Sequence, residues 1–495
     1  MRVLVAGGGI AALEALAGLH ALARERVEPT LLAPEASFSY RPLSTAVPFT
    51  FHEERRRSLA ELAGGLGARF VRDALAVVDD ARGRVLTHDG DFLPYDVLVV
   101  AVGARPSRQT GPGLTWSRAD AAGSAFAAIL RELEAGTVRS VAFVVPPRAA
   151  WPIDAYELSF VAGLAARRGG RGAKVFLVTA EERPLEALGA AAGEALRDEL
   201  ARAGIQLLTG VETRRPAADG ERGLDAFSSV MARLSRQARR RSRRRVVLHL
   251  EPGQALAVDR VVSLPEVHGP ALPGVAHDER GFVPVDASAR IAGSSRLFAA
   301  GDATSLRLKH SLLASSQATA AAEAIAADAG AGVAPTPWSG VLYGILTLPP
   351  HFAGPRDSPW LAGGEPLTHC LWWPPGHVAG RSLAPYLASR DPAVRSGLDW
   401  HPGGLPVAVR VDGASTGSRV PAAVPSQEAL REDALTRRSM SIRRAEREGE
   451  QLAGELRGRL DEFGRHELEV IKRLEAAGYL SGAAPAGART AKPPR

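Results

Sequence analysis

The sequence predicts an α/β protein built on two parallel, doubly wound sheets, followed by a smaller α+β module and a helical tail. Three observations carry that expectation. Apolar runs of strand length alternate with helical patterns over the first two hundred residues or so. The first run passes through a glycine turn directly into a helix, and a second strand–helix–strand unit opens near Val141 and closes at Lys174–Thr179.

Arg2-Val3-Leu4-Val5-Ala6 is the opening strand, Gly7-Gly8-Gly9 the turn, and small and apolar residues continue as a helix to Leu22. Thr30-Leu31-Leu32-Ala33 completes the unit and ends at Pro34 and Glu35. Residues 92–102 read as one further buried strand, closed by Gly103 and Pro106. After the second unit come a helix over 186–203 and a strand at Ile205–Thr209. Residues 336–420 hold five of the seven tryptophans (Trp338, Trp360, Trp372, Trp373 and Trp400) and many prolines, which predicts a separate, mostly β-stranded module. From Ser426 to Leu480 the leucines fall at helix-face spacing among balanced charges, and the Ala/Gly/Pro-rich residues 481–495 are expected to be disordered. The expected domains are 1–108 with 281–335, 109–280, 336–420, and a tail over 421–495.

At 495 residues, with 45% hydrophobic and 23% charged, the chain can bury a sizeable core. Its single cysteine, Cys370, excludes an intramolecular disulfide, a dithiol redox pair and a cysteine-rich metal cluster. No apolar run approaches the ~20 residues of a membrane span, and no leader precedes the first strand, so a soluble, cytoplasmic protein is expected. The net charge of +7 is local: residues 221–245 carry nine arginines against Glu221 and Asp225, and the remainder is balanced.

Gly7-x-Gly9-x-x-Ala12 stands where a Rossmann-like dinucleotide site needs it. Gly7 permits the tight turn, Gly9 lets backbone approach a pyrophosphate, and Ala12 allows close helix–strand packing. Glu35, 26 residues after Gly9, is the nearby acid for ribose hydroxyls; Ala33 holds the usual position, and a solvated loop carboxylate is the other reading.

Two further segments resemble flavin motifs. Val99-Val100-Ala101-Val102-Gly103-Ala104-Arg105-Pro106 is similar to the crossover motif of flavoproteins with two dinucleotide domains. Leu297-Phe298-Ala299-Ala300-Gly301-Asp302-Ala303 is similar to their second flavin motif, with a long alanine helix (Leu312–Ala327) behind it. Over roughly residues 1–390 the chain thus resembles the FAD-dependent pyridine nucleotide-disulfide oxidoreductase superfamily, nearest its branch of type II NADH dehydrogenases and sulfide:quinone reductases. The resemblance implies FAD as cofactor, with Gly7, Gly9, Ala12, Glu35, Arg41, Ala101, Gly103, Gly301, Asp302 and Lys309 at its site. Arg41 lies in Phe38-Ser39-Tyr40-Arg41-Pro42-Leu43, similar to the aromatic-proline segment after the second strand; Gly281–Asp286 resembles the strand re-entering the first domain. It also implies a catalytic role for Lys309, beside a helix whose amino end faces the flavin ring. The glycine-rich start of that helix is replaced here by His310-Ser311-Leu312, while Gln317 stands at a matching position.

In the second unit, Pro146-Pro147-Arg148-Ala149-Ala150-Trp151-Pro152 follows the strand Val141–Val145. Proline lacks an amide hydrogen, so this turn cannot cradle a pyrophosphate, and Trp151 would fill nucleotide space. Asp154-Ala155-Tyr156-Glu157-Leu158 resembles the stretch in sulfide:quinone reductases, yet one cysteine cannot perform their thiol chemistry. The expected function is therefore an FAD-dependent oxidoreductase with an unidentified small-molecule donor and a quinone or other small acceptor. An NAD(P)H dehydrogenase with an unconventional second site and a flavin-binding scaffold without turnover are the alternatives. The arginines from Arg233 to Arg245 lack the aromatic interleaving of a nucleic-acid surface; a solvated loop is favoured, with peripheral membrane contact as its rival. The tryptophans of 336–420 are expected in the core, the histidines His351, His369 and His377 indicate no metal site, and homodimerisation is left open.

Overall fold

In the computed structural model, which describes residues 1–40, 55–107, 113–116, 120–213, 245–251, 253–346, 371–373, 380–391 and 405–411, the first apolar run is strand β1 (Arg2–Ala6). The chain turns through glycine into α1 (Ile10–Leu22) and returns as β2 (Glu28–Leu32). With β3 (Arg69–Val71), β4 (Val97–Val100) and the late strand Leu297–Ala299, these form a parallel sheet. Its spatial order is Leu297–Ala299, β4, β1, β2, β3. Parallel strands are covered on both faces, which is why β4 reads Val-Leu-Val-Val and is buried throughout.

The second sheet consists of β5 (Leu114–Thr115), β6 (Ser140–Val145), β7 (Lys174–Thr179), β8 (Ile205–Leu208) and β9 (Arg260–Ser263), all parallel, in the order β5–β9–β6–β7–β8. Helices α2 (Ile153–Arg168) and α3 (Ala190–Arg202) belong to this half. The chain then re-enters the first sheet as β10 (Leu297–Ala299) and continues as α4 (Ser311–Asp328). Three antiparallel strands follow, β11 (Val341–Leu346), β12 (Trp372–Trp373) and β13 (Leu405–Arg410), with β11 central, and α5 (Leu383–Ala388) lies between the last two. The fold is thus α/β with two doubly wound sheets and a small antiparallel module.

Three local expectations are corrected. Residues 92–102 do not form one strand: Phe92–Pro94 pairs antiparallel with Arg84–Thr87 in a separate three-stranded sheet, and β4 starts afresh at Val97. Pro94 has no amide to continue a ladder, and Asp96 accepts the amide of Arg2 at 2.7 Å, turning the chain towards β1. The helix expected over 186–203 starts only at Ala190, because Gly189 at φ +93° interrupts it after one short turn at Glu186–Leu188. Gly281–Asp286 makes isolated bridges, Val283 with Thr304 and Val285 with Ile291, rather than a strand.

Ala11 through Leu19 of α1 are all buried, because the helix has β1 behind it and α4 across it. One of those residues is Glu14. Its carboxylate accepts hydrogen bonds from the Thr319 hydroxyl (2.8 Å) and from the amides of Ser382 (2.9 Å) and Leu383 (2.7 Å). A buried carboxylate is tolerable where its lone pairs are engaged and a helix amino end faces it; here that helix is α5. Arg381 pairs with Glu323 of α4 at 3.0 Å and Arg57 with the buried Asp391 at 2.8 Å. Residues 381–391 are therefore strapped across the first domain.

Trp372 is buried, as expected of the core, and a Cβ at Gly344 would meet its ring. Trp360, Cys370, Arg41, the arginines from Arg233 to Arg244 and the tail lie outside the described residues. Arg245 stands 3.7 Å from Asp259. No helix among the described residues is long and apolar enough to cross a membrane.

Candidate functional site

The glycine turn is fixed by contacts only glycine allows. Gly7 has φ +128°, and a Cβ there would lie 2.1 Å from the carbonyl oxygen of Ala101. Its amide donates to Leu32 at 2.8 Å, so the turn passes between β2 and the end of β4. Gly9, by contrast, meets nothing within 4 Å of an added Cβ; it faces open space at the amino end of α1. At the far side, Gly301 has φ +79°, and a Cβ would come within 3.0 Å of Ala11 of α1 and 3.3 Å of Ala314 of α4. Its amide donates to Gln317 Oε1 at 3.0 Å, and the same oxygen accepts the Thr304 hydroxyl at 3.2 Å.

These close approaches enclose a cavity of about 280 Å³ whose wall includes Gly9, Ile10, Ala101, Gly103, Trp151, Gly301, Asp302, Lys309, His310, Ser311 and Ala314. Six residues singled out from the sequence thus face one space: Gly9, Ala101, Gly103, Gly301, Asp302 and Lys309. Gly7 shapes the turn from outside the wall, and Ala12 is buried in the packing of α1. Glu35 is exposed, with Oε2 3.1 Å from where a Cβ on Gly8 would be, so it lies beside the turn rather than in the cavity.

Asp302 and Lys309 set the electrostatics. Burial pushes the Asp302 carboxyl above the usual range, opposed by the Lys309 charge. Burial draws Lys309 down to about 8, with Asp302 and Asp278 pulling upward and Arg280 downward. The Lys309 ammonium donates to the Thr304 carbonyl at 2.6 Å and lies 3.9 Å from the centre of the Phe282 ring. His310 caps α4, its Nδ1 accepting the amide of Leu312 at 3.2 Å, which leaves the proton of a neutral ring on Nε2.

The wall fits a flavin dinucleotide on three observations. The Ser311 hydroxyl is buried with no hydrogen-bond partner, at the amino end of α4, where the first-turn amides also seek acceptors. The Asp302 carboxylate accepts no hydrogen bond from the described residues while facing the same space, as a ribityl chain of hydroxyls requires. The opening at Gly9, at the amino end of α1, suits a pyrophosphate.

Trp151, His310, Ser311, Ile10 and Ala314 were not among the residues assigned to the site from sequence. Ser311 could have been found, as the first residue of the helix after Gly301-Asp302. Trp151 could not. It follows β6 in the second sheet, and only the tertiary fold carries it into the wall beside α4. There the Ala150 carbonyl accepts the Lys309 amide at 2.9 Å.

At the second sheet, the acid just past β7 is Glu181, near the position from which a nucleotide ribose would be held. It is already engaged: Oε2 takes the hydroxyls of Tyr156 and Thr179, each at 3.4 Å, and burial raises both the Glu181 carboxyl and the Tyr156 phenol. Asp73, His88 and Asp89 bring possible metal-ligand atoms within 4.8 Å of one another, but the Asp73 oxygens already accept the amides of Ala74 and Asp89, and none of the three lines the cavity.

Residues 155–323 match the family described as Pyridine nucleotide-disulphide oxidoreductase. Among solved structures, the chain is similar to the sulfide:quinone oxidoreductase of the hyperthermophilic bacterium Aquifex aeolicus, at 18% identity and TM-score 0.54, over 70% of this chain and 80% of that one. It is also similar to the ferredoxin reductase for the CYP199A2 system of Rhodopseudomonas palustris, at 19% identity and TM-score 0.50, over 69% and 78%. At these identities the likeness establishes the fold. Comparison with curated protein sequences gives no match.

Proposed function

We propose that the chain is an FAD-dependent oxidoreductase of the pyridine nucleotide-disulphide oxidoreductase superfamily that takes electrons from a donor other than NAD(P)H and passes them to a quinone or another small acceptor, a reading supported by the family match over residues 155–323 and by the fold. FAD, when bound, supplies the redox chemistry that the side chains lack. Gly7 and Gly9 with the amino end of α1 would hold the pyrophosphate, and Asp302 would accept hydrogen bonds from the ribityl hydroxyls. Lys309 and the first turn of α4 would oppose negative charge arising in the cavity on reduction.

The observation that carries the choice of donor is the turn after β6. Pro146 and Pro147 remove two amides from a phosphate cradle, and Glu181 behind it is occupied by Tyr156 and Thr179. A thiol route is closed within this chain, since Cys370 has no second cysteine to pair with. Rapid mixing of the FAD-loaded protein with NADH or NADPH is expected to leave the visible flavin band intact over seconds, while dithionite bleaches it. Bleaching by either nucleotide at rates typical of turnover would overturn the assignment. A band that no donor in an anaerobic screen reduces would mark a scaffold without turnover.

Lys309 makes the cavity sensitive to pH. A lysine drawn down to about 8 carries its charge fully below that value and loses it as pH rises through it. Negative charge in the cavity favours the protonated form, so reduction above about pH 8 takes up an additional proton at Lys309. The midpoint potential of the loaded protein is expected to steepen above about pH 8 by about 30 mV per pH unit for a two-electron couple. Lys309→Met should show no such break; a break that survives this change assigns it to another group.

A further inference from the structure

We propose that Trp151 is a fixed wall of the flavin cavity that decides the donor class, shutting out any planar dihydropyridine, with or without phosphates, and leaving small non-aromatic reductants. The proposal rests on the FAD reading above but goes beyond the missing phosphate cradle.

In an open parallel sheet, ligands sit outside the carboxyl ends of the strands. A donor held at the crest of the second sheet would approach the first cavity past the turn that follows β6. That turn does not stop at its own sheet. The Ala150 carbonyl accepts the Lys309 amide at 2.9 Å, joining the turn to the segment leading into α4. The next residue, Trp151, is 8% exposed and lines the cavity. Its ring lies 4.4 Å from that of His310, tilted by 38°, and meets Trp372 edge-on at 5.5 Å and 82°. His310 is itself held by the Leu312 amide, and Trp372 is buried in the antiparallel module. On its other side, Trp151 is followed by Pro152, at the start of α2.

The indole is thus held by the backbone on both sides and by two rings, one from each neighbouring element. Swinging it outward would expose most of an aromatic surface and break both ring contacts, so it behaves as a wall rather than a movable cover. A dihydropyridine must lie flat against its acceptor at near-attack distance to deliver its electrons. With an indole already occupying the second-domain side, a flat ring has no place there. A compact reductant needs none.

The test uses 1-benzyl-1,4-dihydronicotinamide, a planar donor without phosphates, and dithionite as the compact donor, on FAD-loaded protein. In Trp151→Ala the ratio of the dihydronicotinamide rate to the dithionite rate is expected to rise at least tenfold over wild type. The fluorescence of the bound flavin should rise several-fold, because an adjacent indole quenches it. Trp151→Leu, which keeps bulk in the wall, should raise the fluorescence with a smaller gain in the ratio; it serves if the alanine variant does not fold. Wild-type protein that is yellow, with both ratio and fluorescence unchanged in the variants, overturns the wall. Wild-type protein that stays colourless in excess FAD overturns the parent reading, and the proposal with it.

Discussion

Protein carrying Gly7→Val is expected to purify colourless and to stay so in excess FAD. Two effects add at this position. The backbone is at φ +128°, a conformation that costs a β-branched residue about 1–3 kcal/mol. The new Cβ would also lie 2.1 Å from the Ala101 carbonyl oxygen, a backbone atom of the strand end that lines the cavity, so no rotamer change relieves the contact. Overpacking of this kind costs about another 1–3 kcal/mol, and separating β1 from β4 opens the floor of the site. Gly9→Ala provides the contrast. With nothing within 4 Å, the methyl group harms no packing and should leave the thermal midpoint near wild type while weakening FAD binding by entering the phosphate space. Absorbance in the visible flavin band and thermal melting separate the two; a yellow Gly7→Val protein would refute the placement of the pyrophosphate.

Asp302→Ala is the second large effect, and it should act on the ligand rather than the fold. A hydrogen bond to a charged acceptor contributes about 1.5–3 kcal/mol, so losing the carboxylate should weaken FAD about 10- to 100-fold by fluorescence titration. In the absence of FAD the variant should melt no lower than wild type, because burial already disfavours the Asp302 charge and no protein hydrogen bond is lost with it. A variant that binds FAD as tightly as wild type would remove Asp302 from the site.

The two sheets were legible because parallel strands write themselves as short, uninterrupted apolar runs: Val97–Val100 and Val141–Val145 could be little else. The cavity was legible where local geometry demands a residue type, as at Gly7, Gly301 and Asp302. The boundaries that failed did so for local reasons, a proline that ends a ladder at Pro94 and a left-handed glycine at Gly189 that interrupts a helix. Trp151 failed for a different reason. Its neighbours in sequence belong to the second sheet and its neighbours in space to the first site, and no periodicity encodes a contact made across 159 residues, from Trp151 to His310. Glu14 was hidden for the same cause: within the helical run to Leu22 it looks like a surface charge, and its partners arrive more than 300 residues later.

That last separation bears on how the protein is made. A ribosome releases β1 and α1 first, yet the strand flanking β4, the helix covering α1 and the amides that neutralise Glu14 emerge only when most of the message has been read. Until then the nascent amino-terminal segment carries an unsatisfied acid on an apolar helix, a species that invites chaperone capture. Stop codons or proteolytic nicks between residues 329 and 380 should therefore leave not a smaller working enzyme but an aggregation-prone fragment, even though the opening turn and the cavity wall are already complete.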